Sequence, residues 1–159
     1  MTHKETIYPL ILSKVFPAFH PLADCPTNFA DKIEIGLKKH TIRTNYEWWH
    51  NRALKAADGN CVLSLRQWDE RPYYSPQIEV KRLPKFKVQK LVFDEGAIFK
   101  PQIEWRRKND SYPIVRLNLD IEELATNDGL TLTEWYWWFE KYDLTQPFAI
   151  IQFTDFLYI

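Results

Sequence analysis

The chain has 159 residues, the length of one domain, and folding would bury roughly two thirds of the surface that its unfolded chain exposes. Hydrophobic residues make up 45% of the sequence and aromatic residues 16%, which excludes the composition typical of disordered proteins. The 21 lysines and arginines balance the 21 aspartates and glutamates, so no overall positive charge can hold a polyanion. Any contact with nucleic acid must therefore be local.

Two short stretches concentrate positive charge. KRLPKFKVQK, residues 81–90, contains five cations and no acidic residue, and WRRK, residues 105–108, contains three cations. Each stretch has two interpretations: a local nucleic-acid contact, or an ordinary solvated strand or loop.

The cysteines and the N-terminal residues indicate the compartment. Two cysteines, Cys25 and Cys61, are too few for a disulfide framework in a chain of this size. The N-terminal MTHKETIYPLIL lacks the apolar core and cleavage site of a signal peptide, and no run approaches the roughly 18 apolar residues of a membrane span. We therefore expect a cytoplasmic protein without a membrane partner.

The first half of the chain alternates strand and helix patterns. Thr27 or Asn28 is suited to cap a short helix, and Gly36 is suited to end it in the left-handed conformation. The predicted elements are a buried strand at 8–16, helices at 29–36 and 46–59, and a strand at 61–68.

The second half is richer in strands. Thr131 stands three residues before Glu134, the pattern of a capping box, and opens a helix whose core-facing stripe is Trp135, Trp138 and Phe139. The other predicted elements are strands at 77–83 and 86–93, a hairpin within 94–118 turning at 108–111, a short helix from 120 to 129 and a buried mid-sheet strand at 147–159. Together they predict an α+β fold, with a curved, mostly antiparallel sheet or small β-barrel flanked by a few short helices.

The decapeptide GLKKHTIRTN, residues 36–45, crowds cationic and hydrogen-bonding side chains around one central apolar residue, Ile42. Gly36-x-Lys38 followed by Thr41-Ile42-Arg43 resembles the GxKxxTIR signature of the ASCH domain family, whose fold is PUA-like. The later NDGLTLTEW at 127–135 and the closing FAIIQF strand strengthen this resemblance. It covers about residues 27–68 and 120–153 of a single domain spanning 1–159, with an N-terminal extension at about 1–25 and an inserted segment at about 94–118.

The resemblance implies an activity and the residues that carry it. Characterised relatives include small bacterial amidohydrolases that remove the acetyl group of N4-acetylcytidine with a lysine, a threonine and a glutamate. By position in the motif, these roles fall on Lys38 as base, Thr41 as nucleophile and Asp128 as acidic partner. The carboxylate of Asp128 reaches one methylene less far than the glutamate of those relatives.

Amide cleavage needs a nucleophile, a base and donors for an oxyanion. Lys38 can act as the base only when its pKa falls well below the model value of about 10.4, through burial or neighbouring cations. Asp128 opposes that shift, so its expected role is to orient Lys38 or to pass a proton to the leaving amine. A regular strand from Lys38 onward would send Lys38 and Thr41 to opposite faces, so the chemistry requires a turn or bulge between Gly36 and His40.

Arg43, Lys39, His40, Trp48 and Trp49 are the candidate substrate-binding residues. Each also has an ordinary structural interpretation, such as an ion pair of Arg43 with Asp128 or Glu134, a hydrogen-bonded core histidine, or buried tryptophans. Lys38 and Asp128 also have ordinary interpretations. Lys38 has the position of a surface lysine that follows a helix, and Asp128 that of a turn residue before a glycine. The spacing of the histidines and cysteines matches no metal site, so we predict no metal and no cofactor.

The sequence leaves three functions open. A domain that binds a modified nucleoside or an RNA base and hydrolyses an acylated cytidine amide is the main hypothesis. A non-catalytic reader of RNA or of a modified base, using the same pocket and residues 81–90, is the principal alternative. A protein-interaction domain with exposed tryptophans is the third.

Overall fold

A computed structural model describes residues 5–106 and 114–159 of the chain. The strands are β1 Thr6–Ile11, β2 His40–Arg43, β3 Cys61–Trp68, β4 Gln77–Leu83, β5 Lys87–Phe93, β6 Pro101–Trp105, β7 Val115–Asn118 and β8 Phe148–Gln152. The helices are α1 Phe29–Glu34, α2 Tyr46–Ala57, α3 Ile121–Asn127 and α4 Leu132–Phe139, and a short 3-10 turn spans Asp94–Gly96.

The strands form two sheets. The larger sheet has the order β2-β8-β5-β6-β7 and is antiparallel throughout, and the smaller has the order β1-β3-β4. β1 pairs parallel with β3, and β4 pairs antiparallel with β3 through an irregularity at Leu65/Arg66. The α+β class and the mostly antiparallel pairing are confirmed, but the described strands do not close into a barrel.

Most predicted elements are present, with shifted ends. β8 lies between β2 and β5, as the apolar run predicted, although it ends at Gln152. The predicted strand at 8–16 is instead β1 at Thr6–Ile11, and beyond it Thr27 binds the carbonyl oxygens of Ser13 and Lys14 through its hydroxyl and its amide. β6 and β7 pair as the predicted hairpin, whose turn at 108–111 lies outside the described residues.

The helix caps agree only partly with the sequence. The capping box of Thr131 and Glu134 is confirmed at the start of α4. At α1, Asn28 adopts the left-handed conformation and forms no side-chain cap, whereas the Thr27 hydroxyl accepts from the Phe29 amide at 3.4 Å. Of the two predicted capping residues, Thr27 is therefore the one that binds the helix start.

One hydrophobic core lies between the sheets and helices. It joins residues of the smaller sheet, such as Leu10 and Leu63, to residues of the larger sheet, such as Ile150, and to Trp135 of α4. The residues expected to form an N-terminal extension therefore contribute β1 and core side chains. Within the described ranges, no helix is both long enough and apolar enough to cross a bilayer.

Candidate functional site

The turn that the sequence required before β2 is present. α1 ends at Glu34, Gly36 follows two residues later with φ of +81°, and the amides of Leu37 and Lys38 both donate to the Lys32 carbonyl at 2.8 and 3.0 Å. β2 begins only at His40, so Lys38 precedes the strand and is not bound by its alternation. As a result, Lys38 and Thr41 line the same cavity.

This cavity has a volume of about 190 Å³ and combines polar and aromatic walls. Its polar side includes Lys38, Thr41, Arg43 and Asp128, which come from three separate stretches of structure: the turn after α1, strand β2 and the end of α3. Its aromatic side consists of Phe19, Phe29, Trp138, Phe139 and Tyr142. The structure thus brings the three predicted catalytic residues together with Arg43.

Lys38 is buried to 1% exposure, which is unusual for a lysine. Its Nζ donates to the Asp128 Oδ1 at 3.0 Å and to the Asp128 carbonyl oxygen at 2.5 Å. Nζ also lies 4.1 Å from the centroid of the Phe29 ring. Burial lowers the pKa of Lys38 from its ordinary value, while Asp128 acts in the opposite direction.

The two hydrogen bonds of Lys38 are compatible with a neutral amine. A neutral amine keeps two N–H groups and gains a lone pair, so it can serve both Asp128 acceptors and still accept a proton. The ammonium form has a third N–H instead. The contacts of Lys38 can therefore be made by the amine and by the ammonium.

Asp128 is placed by the junction between α3 and α4. It stands at the C-terminal end of α3, where its amide donates to the Leu124 and Ala125 carbonyls, and Gly129 follows with φ of +82°. A Cβ on Gly129 would lie 3.0 to 3.1 Å from three carbons of Lys38. The glycine therefore allows the α3–α4 junction to approach Lys38 closely.

Thr41 and Arg43 lie two residues apart on β2, so their side chains share one face of the strand, and both line the cavity. The Thr41 side chain is buried, and within 5–106 and 114–159 its hydroxyl forms no hydrogen bond. Arg43 donates to the Ile11 carbonyl at 2.6 Å, and within those ranges it forms no ion pair with Asp128 or Glu134. Burial lowers the pKa of Arg43, and the Asp128 carboxylate counteracts that shift.

The remaining predicted substrate-binding residues lie outside this cavity. The Lys39 Nζ stands over the Phe156 ring, 4.7 Å from its centroid, and His40 is buried against Tyr158. Trp48 is 43% exposed on α2 and Trp49 is buried beside it, with their rings in edge-to-face contact. Their role in substrate binding stays a prediction that the cavity itself does not support.

Several site residues escaped sequence reasoning. Phe29 and Tyr142 were not among the candidate site residues, yet both line the cavity. Asn127 and Tyr158 belong to the buried polar contacts behind Asp128. Asn127 could have been suspected because it directly precedes Asp128 in the sequence. Tyr158 could not, because it lies more than a hundred residues from its partner His40.

No group of three or more histidine, cysteine, aspartate or glutamate side chains is arranged to hold a metal ion in the part of the chain that the structure describes. Comparisons with protein-family models, with curated proteins and with solved structures found no match for this chain.

Proposed function

We propose that this protein is an ASCH-type domain of PUA-like fold that binds an N4-acylated cytidine and hydrolyses its exocyclic amide. The observation that carries the proposal is the buried Lys38–Asp128 pair, which opens together with Thr41 and Arg43 into one cavity. The GxKxxTIR resemblance of residues 36–43 supports the same assignment. A cytoplasmic location belongs to the proposal, and the free thiols of Cys25 and Cys61 agree with it.

The size of the cavity fits part of such a substrate. Its volume of about 190 Å³ lies below the roughly 300–1,000 Å³ of pockets that enclose a whole drug-sized ligand. The cavity therefore suits the acylamide and the edge of one base, with the sugar toward solvent. The rings of Phe29, Trp138 and Tyr142 offer planar apolar surface beside the polar groups.

The proposed reaction begins at Thr41. Neutral Lys38 takes the hydroxyl proton while Oγ1 attacks the acyl carbon, and the Arg43 guanidinium stabilises the negative charge on the carbonyl oxygen. The Lys38 ammonium then returns the proton to the cytidine N4 as the carbon–nitrogen bond breaks. Water hydrolyses the resulting ester, which releases the carboxylic acid and restores Thr41.

The reaction requires one contact that the structure does not contain. The Thr41 hydroxyl is not hydrogen bonded to Lys38 Nζ, so the proton transfer needs a bridging water or the tightening that follows substrate binding. Asp128 holds Lys38 in place by two contacts and remains its partner when the ammonium forms.

The test measures release of cytidine from N4-acetylcytidine. We expect turnover by the wild type, none by Lys38→Met or Asp128→Ala, and a decrease of at least about 100-fold with Thr41→Val. Thr133→Val is a matched control, because Thr133 is exposed on α4, outside the cavity. Turnover that persists in Lys38→Met would overturn the assignment of the base.

A second candidate, a non-catalytic base reader, is favoured by one observation. Lys38 donates to Asp128 rather than to Thr41, which is the arrangement of a resting ion pair and suffices for recognition. Binding of N4-acetylcytidine without release of cytidine, abolished by Lys38→Met, would support the reader and contradict the enzyme.

A further inference from the structure

A line of buried polar side chains leads to Asp128, and apart from Asp128 none of its members lines the cavity. The Asn127 Nδ2 donates to the Tyr158 hydroxyl oxygen at 3.0 Å, and that hydroxyl lies 2.7 Å from the His40 Nε2. The other ring nitrogen, His40 Nδ1, lies 3.7 Å from the Asp128 Oδ1. All four residues are buried.

These contacts favour one position for the proton on the neutral His40 ring. The Tyr158 hydroxyl accepts from Asn127, and its single hydrogen is free to be donated to Nε2. Burial lowers the pKa of His40, which keeps the ring neutral. A neutral ring that accepts at Nε2 carries its proton on Nδ1, the nitrogen that faces Asp128.

The Nδ1–H group has no partner within hydrogen-bond distance among the described residues. A buried unpaired donor is costly, and the carboxylate oxygen that Nδ1 faces at 3.7 Å is the same Oδ1 atom that accepts from Lys38. When Lys38 is neutral, Asp128 loses the attraction of the ammonium charge. A donor poised at His40 Nδ1 then stabilises the remaining carboxylate.

We propose that His40 and Tyr158, with Asn127, are positioning residues that fix the Nδ1–H tautomer toward Asp128 and thereby hold Asp128 against Lys38. This proposal rests on the proposed function, in which Lys38 must change its protonation state. It differs from the substrate-binding role that was one sequence-based prediction for His40, since His40 acts through Asp128.

The position of Tyr158 is itself fixed by β5. The Gln89 Oε1 accepts from the Tyr158 amide at 3.0 Å, and the Gln89 Nε2 donates to the Tyr158 carbonyl at 2.8 Å. The Gln152 Nε2 of β8 also donates to the Gln89 Oε1 at 3.0 Å. Two side-chain contacts to one backbone position give Tyr158 a defined place beside His40.

The first experiment reads the network without using turnover. Nitrogen-15 spectra of the histidine rings are expected to show His40 protonated on Nδ1 in the wild type and partly or wholly on Nε2 in Tyr158→Phe. The Lys38 Nζ signal is expected to move in the same variant. Tyr136→Phe is the control, because within the described part of the chain the Tyr136 hydroxyl forms no hydrogen bond and its ring stacks on Phe99.

The results decide the proposal in either case. A wild-type His40 protonated on Nε2, or a Lys38 signal that is the same in Tyr158→Phe and the wild type, would overturn it. Because both signals are measured without substrate, a failure of this proposal remains distinguishable from a failure to hydrolyse N4-acetylcytidine.

A pair of His40 variants separates positioning from simple packing. The amide nitrogen of asparagine falls near the place of Nδ1, so His40→Asn keeps the donor toward Asp128. The amide nitrogen of glutamine falls near the place of Nε2, so His40→Gln keeps a polar contact with Tyr158 in which the amide donates to the hydroxyl oxygen. We expect His40→Gln to lower kcat by about 10- to 100-fold with KM little changed. His40→Asn should retain a higher kcat than His40→Gln. Both variants carry the cost of a buried polar substitution, so that cost cancels in the comparison. Equal losses of kcat in the two variants would contradict the proposal.

Discussion

At the scale of single residues, burial governs what Lys38 can do. A lysine on the surface is an ammonium ion at neutral pH, whereas desolvation in this site lowers the pKa of Lys38 despite the Asp128 carboxylate. The lowered pKa moves toward the range in which a base is useful near neutral pH. His40 stays neutral over the same range, because burial lowers its pKa as well.

The pH dependence of hydrolysis follows from that shift. Protonated Lys38 cannot accept the Thr41 proton, so kcat/KM for N4-acetylcytidine is expected to be low at acidic pH. It should rise through a single ionisation at a pH below the ordinary lysine value of about 10.4. A series of initial rates across pH checks this, with Thr133→Val expected to give the wild-type profile. A rate that is flat with pH, or that falls as pH rises through this range, would contradict Lys38 as the base.

At the scale of elements, the site depends on two junctions that each use a glycine. Gly36 follows α1 and turns the chain out of helical geometry before Lys38, and Gly129 lets the α3–α4 junction approach the Lys38 side chain. Both glycines have positive φ, the conformation that side chains disfavour. The two junctions bring Lys38 and Asp128 together.

Gly129→Ala tests the close approach at the second junction. The change adds the cost of a left-handed alanine, about 1–2 kcal/mol, and places a methyl group 3.0 to 3.1 Å from three Lys38 carbons. Gly59→Ala is the matched control, because Gly59 has φ of +83° and no atom within 4 Å of the added Cβ. We expect Gly129→Ala to lower the free energy of unfolding by at least about 1 kcal/mol more than Gly59→Ala does.

Denaturant unfolding of both variants measures that difference, and turnover measures its effect on the site. Gly129→Ala should also slow hydrolysis, because the methyl group displaces Lys38, whereas Gly59→Ala should leave hydrolysis unchanged. Equal losses of stability with unchanged turnover would show that Lys38 accommodates the methyl group freely.

The parts of the fold that sequence reasoning predicted are those with local signals. The capping box at Thr131 and Glu134, the glycine at the end of α1 and the apolar run of β8 act over a few residues and are all present. The required turn before β2 followed from strand alternation together with the chemistry that the motif implies, which needs Lys38 and Thr41 at one site. The parallel pairing of β1 with β3 has no local signal, because it joins strands about fifty residues apart.

In the candidate site, too, the residues with a local sequence signal were predicted and those that depend on distant segments were not. Lys38, Thr41, Arg43 and Asp128 were found through a motif, and the structure places them around one cavity. The aromatic wall and the contact of Tyr158 with His40 depend on packing between distant segments. Trp48 and Trp49, chosen because they follow the motif closely in sequence, lie on α2 outside the cavity.

At the scale of the whole molecule, charge distinguishes the two candidate functions. The chain has a formal net charge of zero, and the small cavity is lined by one lysine, one arginine and one carboxylate. An RNA reader must instead hold phosphates, and residues 81–90 supply exposed cations such as Lys85 and Lys87 for that purpose. The salt dependence of binding reports which surface is used.

We expect the affinity for N4-acetylcytidine to change by less than about twofold between 50 and 200 mM salt, since the nucleoside is uncharged and no counterions are released. A protein that contacts six to ten phosphates would lose about 10³- to 10⁵-fold over the same range. Calorimetric titrations with the nucleoside and with a short single-stranded RNA carrying the same modified base measure both cases.

A Lys85→Gln, Lys87→Gln double variant is the control and should leave nucleoside binding unchanged. If the RNA binds far more tightly than the nucleoside, with a steep salt dependence that the double variant reduces, the stretch at residues 81–90 is the main binding surface. That outcome would favour the reader, because a small-nucleoside enzyme has no need of phosphate contacts.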